Sequence, residues 1–358
     1  MIALSLPARF SDPSALPFVL RCSRAHGTDA TLVGEFAGAE IYQRGTLTIE
    51  VTLPPGDSIL GDVVFADPSA GRISRWIRSG SVHNTLLVTE RCDQLCIMCS
   101  QPPKKTHTDL FSHFLEACVL APQGTVIGLS GGEPLLYKRE LFDLVERTAA
   151  RRPDIRFHIL TNGQHFDRAD IARLSAKAFE GVQWGIPLYA ADPGLHDDIV
   201  GKPGAQARLR SSLAVLAEAG QDIELRTVLV RQNYDCLPEL ARWVTAHLPF
   251  ISVWALMQLE RAGFARKRWS EQFVDHSGAP RPLIEAVTLA KSRGQDVALY
   301  NFPYCTVPDA LRPFLVRSIS DWKRAFPSDC ESCRMKSECG GFFEWHASLK
   351  DYARGGAL

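Results

Sequence analysis

The chain has 358 residues, 46% of them hydrophobic and 22% charged, an ordinary folded composition that excludes a mainly disordered or collagen-like chain. Forty Lys and Arg balance forty Asp and Glu, so the formal net charge is zero and a broad nucleic-acid footprint is not expected. No run approaches the ~18 apolar residues of a membrane span, and the start MIALSLPARF lacks the charged and apolar regions of a signal peptide. The expected setting is the cytoplasm, with no membrane partner. Thiols stay reduced there, so ten cysteines call for a use other than disulfides.

Taken in chain order, residues 1–80 predict a small β module. Segment 46–53 (TLTIEVTL) alternates polar and apolar residues, and 63–65 and 73–77 flank the turn sequence DPSAG as a hairpin. Residues 81–296 alternate short apolar runs with helical patterns. Strands are predicted at 86–88, 126–129, 155–160, 182–188, 223–230 and 251–256. Helices are predicted at 109–120, 140–150, 168–179, 205–219, 237–247 and 281–293. Six β/α units at intervals of roughly 35 residues give an α/β class and a partial (β/α)6 TIM-type barrel. Chemistry in such folds sits on loops at the C-terminal strand ends. Residues 297–358 show little hydrophobic periodicity and read as a small cysteine-rich region in need of a staple.

Six of the ten cysteines fall in two short windows. The first is Thr89-Glu90-Arg91-Cys92-Asp93-Gln94-Leu95-Cys96-Ile97-Met98-Cys99, directly after the first strand of the α/β region. Its C-x3-C-x2-C spacing offers three thiolates on one loop, enough for three irons of a cubane and one short of a structural zinc site. The second window is Cys330-x2-Cys333-x5-Cys339, which Cys305 completes to four ligands for a second [4Fe–4S] cluster or a tetrathiolate zinc. Cys22, Cys118 and Cys236 have no partners at metal spacing and read as buried structural thiols.

Later strand ends carry further candidates. Ser130-Gly131-Gly132-Glu133-Pro134 joins two glycines, which let the backbone approach a ligand, to a carboxylate suited to a cationic amine. Thr161-Asn162-Gly163 ends the third strand. Glu224 and Arg226 share one face of the fifth, as a ligand-binding arginine or as an internal ion pair. Arg261 to Arg268 (RAGFARKR) carries four cations around Phe264, a solvated face or a seat for an acidic leader peptide.

The cysteine spacing at the first strand end, followed by GGEP at the second, resembles the radical S-adenosylmethionine (SAM) superfamily. The resemblance implies that Cys92, Cys96 and Cys99 hold a [4Fe–4S] cluster whose open iron takes SAM. It implies that Ser130 to Pro134 bind the SAM amino group, that Thr161 and Asn162 lie near SAM, and that Arg226 meets its carboxylate. Met98 stands where the family often has an aromatic residue, and is expected at the adenine. Pro187 stands where many peptide-modifying relatives have a ribose-binding serine, and His196-Asp197 is similar to a later family segment or is simply a helix start. The second cysteine window resembles the SPASM and twitch auxiliary-cluster regions, although position 343 is Phe where a full SPASM pattern has another cysteine.

Four segments, TERCDQLCIMCSQPPK (89–104), Asn301-Phe302-Pro303, SISDWK (318–323) and CGGFFEW (339–345), resemble the C-type radical SAM maturase of the His-Xaa-Ser peptide system. That likeness implies reductive cleavage of SAM to a 5′-deoxyadenosyl radical and hydrogen abstraction from a ribosomally made repeat peptide. It also implies a companion radical SAM maturase and an electron donor such as flavodoxin or ferredoxin. A nucleoside or small metabolite as substrate is the alternative within the same chemistry. A zinc-stapled, non-catalytic peptide-binding subunit is the alternative outside it.

Overall fold

The computed structural model describes residues 2–25 and 29–358. The chain divides into two units. The first comprises Met1–Val88, Thr108–Ser130 and Tyr137–His158, and the second comprises Thr89–His107, Gly131–Leu136 and Ile159–Leu358.

In the first unit seven strands close into a barrel: Ser5–Phe10, Phe18–Ser23, Ala30–Phe36, Ala39–Arg44, Leu47–Thr52, Val63–Asp67 and Arg72–Ile77. The predicted strand at 46–53 and the hairpin at 63–77 are present. Four further strands join them that the alternation alone did not separate from loop. The barrel is filled by Leu6, Leu20, Tyr42, Ile49, Val64 and Ile73, and closure removes the exposed edge an open sheet would carry. Buried Glu40 is satisfied inside, accepting from Tyr42 Oη at 2.7 Å and from the Ile59 amide at 3.2 Å. Helix Phe111–Leu120 lies against the barrel through Trp76, whose ring stacks on Phe65 and meets Phe114 at 5.0 Å. Strands Asn84–Thr89 and Val126–Gly131 are neighbours in a second sheet, with helix Lys138–Arg151 following them.

The second unit carries parallel strands Val182–Pro187, Asp222–Val228, Val253–Met257, Val297–Tyr300 and Leu315–Val316, paired in chain order. The last two correct the six-strand expectation. Val297–Tyr300 is a four-residue apolar run and Leu315–Val316 only two residues, both below the length at which periodicity registers. Helices Ala205–Glu218, Leu237–His247 and Arg281–Ser292 match the predicted spans. The predicted helix at 168–179 is broken into 3₁₀ turns around a single turn of α-helix at Ile171–Leu174. Asp167 and Asp170 form a capping box that tightens its start. Helix Pro193–Val200, outside the six predicted helical spans, follows the fourth strand of the α/β region. No helix among the described residues is long and apolar enough to cross a membrane.

Leu209 points from helix Ala205–Glu218 into the core, fully buried. Leu209→Ala is expected to cost about 3 kcal/mol in chemical denaturation, through lost transfer energy and the cavity left behind.

Candidate active site

The first cysteine loop is held along its whole length within the second unit. The Gly132 amide donates to Thr89 O and the Glu133 amide to Arg91 O, each at 2.7 Å, so the glycine pair continues as a short ladder beside the loop. A Cβ on Gly131 would lie 2.0 Å from Thr89 O, and one on Gly132 2.1 Å from Arg91 O. The close approach that requires glycine is therefore to the chain's own backbone. Further along, the Leu95 and Ile97 amides donate to Val200 O and Ile199 O at 3.1 and 2.9 Å, using carbonyls that the end of helix Pro193–Val200 leaves without intrahelical partners. Gly201 caps that helix at φ 64°, and a Cβ there would strike Leu95 O at 2.7 Å. The Phe264 amide reaches Cys99 O at 2.9 Å, and Gln272 Nε2 reaches Ile97 O at 2.8 Å.

Glu133 is fully buried. Its carboxylate accepts from Thr161 Oγ1 at 2.7 Å, the Asn162 amide at 2.5 Å and the Leu135 amide at 2.8 Å. Burial pushes its carboxyl above the ordinary value, and these donors work in the opposite direction. Thr161 and Asn162 are thus brought to Glu133, as donors that fix it. Three of its roughly four lone-pair sites are occupied, which leaves one for a cation. Pro134 is buried and opens the 3₁₀ turn that follows, while Ser130 is half-buried near the end of its strand in the first unit.

Asp93, between the first two cysteines, was not anticipated. It accepts from Asn162 Nδ2 at 2.8 Å, pairs with Lys202 Nζ, and lies 3.2 Å from His165 Nε2. A chain of contacts therefore runs from the cysteine loop through Asn162 to Glu133. Burial alone would raise the Asp93 carboxyl, but His165 and Lys202 outweigh it and hold the group well below the ordinary carboxylate range. Asp93→Asn is expected to lower stability by about 2 kcal/mol at neutral pH, the scale of a lost charge-assisted contact. A depressed carboxyl stabilises above its unfolded pKa of about 3.9 and loses that contribution as pH falls through the folded value. The wild-type advantage should then be full at pH 6–8 and shrink below about pH 4, as read by urea denaturation across pH.

The three thiols share one small region. Burial pushes Cys92 up to about 11 and Cys96 up to about 12, and Cys99 also rises. The charges of Cys99 and Cys92 add to the rise at Cys96, so the sulfurs sense one another. Such a set is neutral when empty and fits a cationic iron cluster that displaces its protons on binding. No His, Cys, Asp and Glu group among the described residues converges on a single metal ion. A cubane takes one thiolate per iron, so its ligands need not meet at one point.

Met98 packs in an apolar cluster with Tyr189, Ile199, Val200 and Leu259. Arg226 pairs with buried Glu224 and lies 5.9 Å from the Tyr300 ring centroid, the internal-pair arrangement of that strand face. His196 is buried beneath Tyr189, and Asp197 accepts from the Gln206 amide at 2.9 Å at the start of the next helix. Both lie in the middle of helix Pro193–Val200.

The C-terminal thiols gather as well. Burial raises Cys305 and Cys330, and both are pushed further by the charges of Cys333 and Cys339; Cys330 also senses Cys305. Cys339 Sγ accepts from the Tyr304 and Gly341 amides, each at 3.3 Å, which places it beside the Cys305 segment.

Residues 86–244 match the Radical SAM superfamily. Two curated relatives are named PqqA peptide cyclase. One, from Granulibacter bethesdensis, is 27% identical over 43% of this chain and 41% of its own length. The other, from Ruegeria pomeroyi, is 30% identical over 42% of this chain and 40% of its own. The chain thus matches about two fifths of the length of these relatives. Streptococcus suis SuiB shares the fold at a TM-score of 0.50, covering 63% of this chain and 50% of that one at 14% identity. The matched segment contains all three loop cysteines, Glu133 and Asn162, and over that segment the chain is similar to the radical SAM superfamily.

Proposed function

We propose that the chain is a radical SAM peptide maturase acting on a ribosomally made precursor of the His-Xaa-Ser type. The observation that carries the radical SAM chemistry is the single network joining the Cys92–Cys96–Cys99 loop to buried Glu133 through Asp93 and Asn162. The peptide substrate rests on likeness to the PqqA peptide cyclases and on the four segments described above. When bound, the loop's [4Fe–4S] cluster supplies the electron that cleaves SAM, giving methionine and a 5′-deoxyadenosyl radical that takes hydrogen from the peptide.

The protein's part is placement. Glu133 keeps one lone-pair site for the SAM ammonium, Arg226 lies on the strand face where the SAM carboxylate would come, and Met98 with Tyr189 provides apolar cover. Cys305, Cys330, Cys333 and Cys339 hold a second cluster in this reading. A companion maturase and a flavodoxin or ferredoxin donor complete the system.

The test is anaerobic reconstitution with iron, sulfide, SAM and dithionite, with and without a co-expressed repeat peptide. The expected result is 5′-deoxyadenosine release together with a mass change in the peptide. Release without any mass change would move the substrate to a small metabolite. A colourless protein with stoichiometric zinc and no iron would overturn the reading.

A further inference from the structure

The Arg261 to Arg268 run does not act as one basic face. Arg266, Lys267 and Arg268 are exposed, whereas Arg261 is half-buried in the lining of a narrow cleft. Three separate segments, far apart in sequence, meet in that cleft: Asn301 with Pro303, Ile319, and Gly341-Phe342-Phe343. All belong to stretches that the sequence singled out and that neither cysteine group explains. Asn301 has φ 66°, the one positive φ at a non-glycine residue among those described. It follows strand Val297–Tyr300, is held by Ser318 Oγ and lies at the C-terminal end of the sheet. Strain of this kind collects at ligand sites.

Arg261 is oriented within the cleft. Its Nη1 lies 3.1 Å from His346 Nδ1, and the guanidinium carbon stands 5.6 Å from the Trp269 ring centroid. Arginine only donates, so His346 Nδ1 accepts. The imidazole hydrogen is then on Nε2, which faces Asp351, and Asp351 also accepts from Trp269 Nε1 at 3.2 Å. Asp351 thus fixes the tautomer of His346, and His346 with Trp269 fixes the plane of the guanidinium. No carboxylate among the described residues pairs with Arg261 itself. A preset fork of donors against aromatic walls is the recognition element for a planar anion.

We propose that the Arg261 cleft binds a carboxylate carried by the peptide substrate, with Arg261 as the ligand-contacting residue and His346 and Asp351 as positioning residues. This rests on the peptide reading above. Binding can be read without SAM or reductant, so its failure is distinct from failure of the radical chemistry.

The probes are three fluorescein-labelled His-Xaa-Ser repeat peptides: Asp at each Xaa with an amidated C-terminus, Asn with an amidated C-terminus, and Asn with a free C-terminal acid. Fluorescence anisotropy with the full-length protein should show the Asp peptide binding about tenfold or more tighter than the amidated Asn peptide. Arg261→Gln should abolish that difference, and Arg261→Lys should restore only part of it, because it keeps the charge and loses the fork. Asp351→Asn should weaken the Asp peptide alone. Equal gain by the free-acid Asn peptide would assign the site to a chain terminus. Equal binding of Asp and amidated Asn peptides by the wild type, no binding of the Asp peptide, or an unchanged preference in Arg261→Gln would overturn the proposal.

Discussion

Cys96→Ala is expected to reduce 5′-deoxyadenosine release to the no-enzyme background and to lower iron from about eight to about four per chain after anaerobic reconstitution. Cys96 is the most perturbed thiol of the loop, raised by burial and by the charges of both neighbours. Its loop segment is pinned on either side by the Leu95 and Ile97 amides, which fixes its backbone beside helix Pro193–Val200. Losing one of three thiolates leaves two irons of the cubane without protein ligands. Half the iron should remain on the proposal that the four C-terminal thiols, a separate group, hold a cluster of their own. Full iron content with undiminished 5′-deoxyadenosine release would remove the loop from the chemistry altogether.

The parts of this site that could be read from the sequence are those whose partners are near in the chain. Cysteine spacing, the glycine pair and the strand ends are local patterns, and the strands and most helices of the α/β region fall where periodicity puts them. The clamp on the loop was not legible. Lys202 meets Asp93 across 109 residues and Asn162 meets it across 69, and neither side chain belongs to a motif that announces such a pairing. The span of helix Pro193–Val200 is not legible because eight residues containing Pro193, Gly194, Asp197 and Asp198 give no clear helical stripe, although Asp192 caps it by accepting from the Leu195 amide. Its carbonyls nonetheless hold the middle of the cysteine loop. The N-terminal barrel was half legible for a related reason. Pro7 sits within Ser5–Phe10 and argues against a strand there although its burial alternates, and the Ala30–Phe36 strand changes register between Leu32 and Gly34.

The glycine pair shows how a correct residue can carry the wrong reason. Glycine at 131 and 132 suggested room for a ligand, but the room is taken by Thr89 and Arg91 carbonyls. Gly132→Ala should therefore act on folding of the cysteine loop before it acts on any ligand. The added Cβ would stand 2.1 Å from Arg91 O and 2.5 Å from Arg91 C, and backbone on both sides cannot rotate away as a side chain would. Relief requires separating the strand end from the loop, which breaks the 2.7 Å bonds from the Gly132 and Glu133 amides and pulls Glu133 from Thr161 and Asn162. The expected cost is about 3 kcal/mol or more in urea denaturation, at the upper end of overpacking effects. Iron retention should fall with it, because the loop that carries Cys92, Cys96 and Cys99 loses its ladder. Gly80→Ala is the matched control: nothing lies within 4 Å of a Cβ there, and the change should stay within about 0.5 kcal/mol of wild type. If the two variants unfold at the same denaturant concentration, the ladder between the glycine pair and the cysteine loop is not what holds the site.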